Sequence, residues 1–306
     1  MNRSKEAIAD ISRSQYIARR GAKEVLTRIL KQEVIHEEGN GLAQAVEAAK
    51  NGKGLVIVWA PHWSFDDGFR IATLITNTAG LRNKRLVYPL AKHQDSPPLQ
   101  KLGASTGIDY PVVVTEDTIQ KKGFEKERVG EGVLEYMKKA YEAMKHGGIS
   151  VVAIQGKREA YFDPNNELQP VKGLIRGMKI GDRDSKRKGE KTLDSNYGVL
   201  LVGLGEKGRL HYDSPGFHPF TKGTVTIGQY YTIDQLIQKA DGLEHVDEFL
   251  REQFMKLMPK EYLYPPTAET RAAQRKLDIK RVACAVGLVT MAAGIAYALN
   301  RHEKAA

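Results

Sequence analysis

Short β-branched runs alternate with longer stretches of helical period through the middle of the chain, the pattern of an α/β layered domain with a largely parallel sheet flanked by helices. The runs that read as strands are Leu55 to Ala60, Leu86 to Leu90, Ser150 to Ile154, Val199 to Leu204 and Thr224 to Ile227. Helical periodicity falls at about 41–51, 66–76, 130–146, 172–180 and 233–257. Two charged, apolar-poor segments, 115–131 and 181–196, read as surface loops that cannot pack. In open sheets of this class, chemistry collects in the loops at the carboxyl ends of the strands.

The two ends of the chain have their own patterns. Residues 1–40 carry Ile8, Ile11, Ile17, Ala18, Val25, Leu26 and Ile29 at roughly helical spacing, with Arg13, Arg19, Arg20, Lys23 and Arg28 among them. This fits a basic amphipathic helix, lying either on an anionic membrane surface or against the core with a solvated basic face. No signal-peptide pattern is present, so the chain is expected to begin on the side where it is made. At the other end, residues 282–299 (VACAVGLVTMAAGIAYAL) hold no charge and are flanked by Lys280 and Arg281 and by Arg301 and Lys304. A helix of that length covers about 27 Å, enough to span a bilayer core. The expected organisation is therefore an N-terminal amphipathic segment (1–40), a catalytic domain (41–265) and a C-terminal helix (266–306) with a membrane anchor. A buried Ala-rich helix is the alternative for 282–299. The denser basic flank on the N-terminal side of the span places the large domain on the cytoplasmic face.

Composition narrows the partners. The net charge of +10 favours anionic ones: phosphorylated substrates, an anionic bilayer or nucleic acid. The basic residues lack interleaved aromatics and no nucleic-acid motif appears, which argues against the last. A single cysteine, Cys284, excludes an intramolecular disulfide framework.

Two strand ends carry candidate chemistry. After Leu55 to Ala60, Pro61 stops the strand and His62-Trp63-Ser64-Phe65-Asp66-Asp67 leads into a helix. His62 on the loop and Asp67 in the first turn could form a pair in which the carboxylate holds one imidazole nitrogen and the other accepts a proton. Such a pair suits direct attack by a substrate hydroxyl on an activated acyl group. Ser64 with Asp67 also reads as a capping box, a purely structural role. After Ser150 to Ile154 comes Gln155-Gly156-Lys157-Arg158, with Lys172 and Gly173 opening a later helix. Gly156 permits a tight turn, and an Arg guanidinium grips phosphate through two hydrogen bonds. A basic surface turn is the plain alternative.

Jointly, APHWSFDD, AIQGKRE about ninety residues on, PVKGLIRGMKIG (170–181) and GVLLVGLG (198–205) resemble the acyltransferase family that includes lysophosphatidate and glycerol-3-phosphate acyltransferases. The family's His, four residues, Asp motif matches His62 and Asp67, and its Pro-Glu-Gly-Thr-Arg type motif matches Gly156 and Arg158. Gln155 stands where the family places a glutamate, and Ile154 where proline is common. The family's middle arginine motif has no counterpart in GIDYPVVVTED (107–117), Lys92 being the nearest substitute.

The resemblance, over about residues 45–230, implies acyl transfer from an acyl thioester of coenzyme A or acyl carrier protein to a hydroxyl of a phosphate-bearing glycerol or lysophospholipid, lysophosphatidate foremost. No metal or bound cofactor is implied. His62 would be the base and Asp67 its orienter, with Gln155, Gly156, Lys157, Arg158, Lys92 and Lys172 around the acceptor. Two other readings share these residues: transfer to a sugar-lipid, and an inactive membrane-bound lipid-binding protein.

Overall fold

The computed structural model of the chain describes residues 10–279 except 31, 37–38, 63–66, 116–117, 120–121, 157–160, 164, 166, 194 and 211–221. Its strands are β1 (Glu33–His36), β2 (Gly54–Ala60), β3 (Leu86–Val87), β4 (Leu90–Ala91), β5 (Ile108–Asp109), β6 (Val112–Val113), β7 (Ile149–Ala153), β8 (Tyr197–Glu206) and β9 (Gly223–Thr232). Its helices are α1 (Arg13–Leu30), α2 (Gly41–Lys50), α3 (Asp67–Asn77), α4 (Pro97–Thr106), α5 (Val133–Lys145), α6 (Pro170–Lys188), α7 (Ile233–Lys239) and α8 (Val246–Leu257). Residues 268–279 are also helical.

Seven strands form one sheet in the order β1-β9-β8-β2-β7-β3-β5. All neighbours are parallel except β8 and β9, which pair antiparallel. The fold is thus mixed α/β with a mostly parallel sheet between two helical layers. β2 is buried at every position, as a central strand covered on both faces must be. Its residues alternate between two cores. Val56, Val58 and Ala60 join Ala140 and Met144 of α5, Leu174 of α6, and Leu250 and Phe254 of α8. Leu55, Ile57 and Trp59 join Ala45 of α2 and Ile71, Leu74 and Ile75 of α3. Helix α3 buries Asp67, Arg70, Ile71, Leu74 and Ile75, one stripe at the 3.6-residue period.

Several expectations need correction. The run Leu86 to Leu90 is not one strand: it divides into β3 and β4 around Tyr88-Pro89, and β4 pairs with β6 in a separate ladder. Proline has no N–H to give a ladder, so pairing breaks there. Segment 181–196 is no loop throughout, because α6 continues to Lys188 before Gly189 caps it at φ 67. A helix needs only one buried stripe. Here Val171, Leu174, Ile175, Met178 and Ser185 supply it, and the charges form the solvated face. The helix at 233–257 breaks into α7 and α8 where Asp241 and Gly242 take positive φ. Strand β1, within the N-terminal segment, has no counterpart among the sequence-level strands.

Helix α1 packs on α3 and α4. Arg19 is buried there, and its guanidinium donates to the carbonyls of Thr106 (2.7 Å), Arg82 (3.1 Å), Lys84 (2.8 Å) and Gly107 (2.9 Å). The hydrophobic stretch 282–299 lies outside the described residues. Among those described, no helix is long and apolar enough to cross a membrane.

Candidate active site

The loop between β2 and α3 places His62 and Asp67 face to face. His62 Nδ1 lies 3.2 Å from Asp67 Oδ2. The carboxylate is almost wholly buried at 1% exposure while the imidazole keeps 22%, so the pair has a sheltered end and a reachable one. Asp67 begins α3, where the helix dipole favours a negative charge. Trp59 stands edge-on to the imidazole, ring centroids 4.7 Å apart, which limits how far the ring can turn. Ser64, the partner in the capping-box alternative, lies outside the described residues.

One turn further along α3, Arg70 anchors the helix to the end of β8. It donates to Glu206 Oε1 at 3.1 Å and to the Gly205 carbonyl at 3.3 Å. Glu206 Oε2 takes a second hydrogen bond from Arg209 Nε at 2.7 Å, and all three side chains are buried. A buried carboxylate shared by two guanidinium groups is rigid because loss of any partner strands a charge.

The strand β7 ends in a turn closed by Gly156 N–H on the Ala153 carbonyl, with Gly156 at φ 64. That backbone sends the fully buried Gln155 side chain across to the neighbouring strand end. Gln155 Oε1 accepts the backbone N–H of His62 at 2.6 Å, and its Nε2 donates to Tyr262 Oη at 3.2 Å. Tyr262 comes from the segment after α8, and its carbonyl accepts the N–H of Phe162 at 2.8 Å.

His62 and Gly156 line a cavity of about 420 Å³ that runs between α5 and α6. Its walls are mainly apolar, with Val113, Tyr136, Met137, Val152 and Leu174 prominent, and His93 and Gln94 add polar groups. His93 Nδ1 lies 3.1 Å from Thr118 Oγ1.

The candidates thus separate. His62, Asp67, Gln155 and Gly156 come together. Lys157 and Arg158 lie outside the described residues. Lys92 pairs with Asp95 at 3.2 Å on an exposed turn, while the following His93 faces the cavity. Lys172 pairs with Glu244 at 3.0 Å, and its neighbours Pro170, Gly173 and Leu174 line the cavity while it does not. The free N–H groups at the start of α6 are no open anion site, since Asp247 accepts from Val171 N at 3.0 Å and Lys172 N at 2.7 Å. Burial holds the Asp247 carboxyl above the usual carboxylate range, partly offset by those two N–H donors. Among the described residues, no group of three or more His, Cys, Asp or Glu is placed to hold a metal ion.

Sequence reasoning missed Tyr88, His93 and Tyr262. His93 and Tyr88 flank the Pro89 break, a signal that could have been used. Tyr262 sits 107 residues from Gln155 with no local signature.

No protein-family model matches the chain, and no curated protein matches it in sequence. Among solved structures, the chain is similar to the 1-acyl-sn-glycerophosphate (LPA) acyltransferase PlsC from Thermotoga maritima. The likeness covers 81% of this chain and 84% of that one, at 14% identity and a TM-score of 0.42.

Proposed function

We propose that this chain is an O-acyltransferase that moves a fatty acyl group from a thioester of coenzyme A or acyl carrier protein to a hydroxyl of a phosphate-bearing glycerol or lysophospholipid. The observation that carries the reading is the His62 Nδ1 to Asp67 Oδ2 contact of 3.2 Å at the edge of an apolar cavity of about 420 Å³. With Nδ1 held by the carboxylate, Nε2 is the nitrogen left to take a proton. The acceptor hydroxyl gives its proton to Nε2 as its oxygen bonds to the thioester carbonyl carbon. The C–S bond then breaks, and the thiolate leaves with the proton returned from the imidazolium. No protein nucleophile and no cofactor enter this scheme. The cavity's volume and its mainly apolar walls suit an alkyl chain.

Lys157 and Arg158 are assigned to the acceptor phosphate by chemistry alone. The proposed working place is a membrane surface with the catalytic side toward the cytoplasm, where an anionic amphiphile and a soluble thioester meet.

The test is transfer of a radiolabelled acyl group from coenzyme A and from acyl carrier protein to phosphoglycerols, lysophospholipids and sugar-lipids, by wild type and His62→Ala. Label on a phosphate-bearing acceptor that drops about 10²–10⁴-fold in the variant supports the reading. Label on a sugar-lipid alone moves the acceptor class. No label with lipid binding retained replaces the enzyme with a lipid-binding protein.

A further inference from the structure

Helix α6 begins with little support from its own sequence. Gln169 precedes it and gives the first turn no side-chain hydrogen bond, and Pro170, its first residue, has no N–H. Gly173 and Gly177 follow, the residue type that favours a helix least after proline. Close packing does not require the first of them, because a Cβ at position 173 would meet only Met137 Cε, at 3.7 Å. The N–H groups of Val171 and Lys172 go to Asp247 of α8, at 3.0 and 2.7 Å. Asp247 is 1% exposed and 76 residues from Val171 in sequence, so the helix is capped by another element and out of reach of water.

Two more charged residues grip the same stretch. Arg251, one turn further along α8, donates to the Leu168 carbonyl, and Glu244, just before α8, pairs with Lys172 at 3.0 Å. The stretch they hold borders the cavity beside His62. Leu168, Gln169, Pro170 and Gly173 all line that cavity, while Leu168, at 39%, and Gln169 are also exposed. Residues 168–173 are therefore a rim between the cavity and solvent.

Resting on the reading of this cavity as the place of an acyl chain, we infer that residues 168–173 are the gate through which a long hydrocarbon chain enters and leaves, and that Asp247 and Arg251 of α8 are its latch. A chain attached to a bulky polar carrier is laid into a cavity more readily from the side than by threading its tail past the imidazole. Fraying of a first turn is the smallest opening a helix allows, because the N–H groups there have no partner within the helix. In α6 the proline and glycines leave that turn weak, so the two bonds to Asp247 and the one from Arg251 set how often it opens. Asp247 and Arg251 are thus positioning residues: they touch the rim and act on the chain through it.

The experiment uses the full chain and cis-parinaric acid, a fluorescent long-chain fatty acid. Stopped-flow mixing gives its on- and off-rates, and amide hydrogen exchange read by mass spectrometry follows residues 168–173. Asp247→Asn keeps the shape but has one acceptor oxygen and no charge. In that variant, exchange at Val171 and Lys172 and both rates should rise about tenfold, with Kd within about threefold of wild type. Gly173→Ala strengthens the same turn, and should slow exchange and both rates about threefold. The two variants act in opposite directions, so poor folding of one does not imitate the pair.

Faster exchange in Asp247→Asn with wild-type binding rates would overturn the gate, since the turn then opens without admitting the chain. Unchanged exchange would remove the latch, and a shifted Kd with an unchanged on-rate would reduce the segment to a fixed wall. A wild type that takes up no probe would remove the chain reading of the cavity together with its gate. The expected rate changes in a protein that transfers no acyl group would keep the gate and remove the proposed reaction instead.

Discussion

Gln155 Oε1 accepts the backbone N–H of His62 at 2.6 Å, so the residue after Pro61 is held by a side chain that arrives from a different strand end, 93 positions later in sequence. The amide is oriented by its second bond, Nε2 to Tyr262 Oη at 3.2 Å. A carboxamide can satisfy a donor and an acceptor at once, which a carboxylate cannot. In the proposed reaction, Gln155 is therefore a positioning residue for the imidazole. Gln155→Ala should lower kcat about 10- to 100-fold with little change in donor KM, because a misplaced base loses orientation and not affinity. Gln155→Glu keeps an acceptor for the His62 N–H and, with Tyr262 Oη turning to donate, should recover all but about tenfold. Wild-type kcat in Gln155→Ala would remove the role.

Asp67→Asn is nearly isosteric and should leave thermal unfolding within a few degrees of wild type. An amide nitrogen toward His62 Nδ1 selects the wrong tautomer, so Nε2 can no longer accept. Steady-state kinetics should show kcat down about 10²–10⁴-fold with KM held.

Gly173 sits in α6 with an open side: a Cβ there meets only Met137 Cε, at 3.7 Å. Since Gly173 lines the cavity, Gly173→Leu should shorten it. Activity with long-chain thioesters should drop while short-chain donors are used as before. Unfolding should move the opposite way, toward greater stability by up to about 0.8 kcal/mol, because glycine is a poor helix former. Unchanged chain-length preference across a donor series would place the acyl chain elsewhere.

Arg19 is a staple rather than a surface charge. Burial lowers its pKa to about 10, which leaves it charged at neutral pH and able to hold four carbonyls. Arg19→Met removes all four bonds and strands acceptors in a buried seam, at a cost of about 2–4 kcal/mol. Denaturant titration should show the lower midpoint, with His62-dependent activity retained in the folded fraction.

The buried tyrosines set the alkaline limit. Burial pushes Tyr110 up to about 12 and Tyr136 and Tyr197 higher still, Tyr136 being lowered slightly by its bond to Ser150. Their unfolded counterparts ionise near pH 10. Above that pH the folded chain holds protons that the unfolded chain has lost, so stability is complete below about pH 10 and declines as pH rises toward 12. Tyrosinate absorbance should therefore rise in two stages, exposed phenols first and the buried ones together with loss of helical circular dichroism. A single smooth titration with the fold intact would contradict the burial argument.

The hydrophobic pattern alone located the strands nearest the site. A central parallel strand is apolar at every position, and Leu55 to Ala60, Val151 and Val152, and Val199 to Leu204 are buried. His62 and Asp67 were legible as a pair because they are five apart, on a strand end and a helix start whose geometry is local. Where charge was read as a loop, the sequence misled. Residues 181–188 continue α6 because Tyr141 Oη reaches Asp182 and Ser185 at 3.0 Å each, contacts invisible in a run of lysines and arginines.

What the tertiary structure decided is everything that depends on strand order. Placing β7 beside β2 brings Gln155 to the His62 backbone, and the segment after α8 brings Tyr262 to Gln155. The same packing pairs Lys172 with Glu244 and Lys92 with Asp95, so two lysines with suitable charge have ion-pair partners away from the cavity. Periodicity reports which face of an element is buried, since that is set by backbone geometry within a few residues. It carries no information about which distant element covers that face, because that choice is made by the complementarity of whole layers.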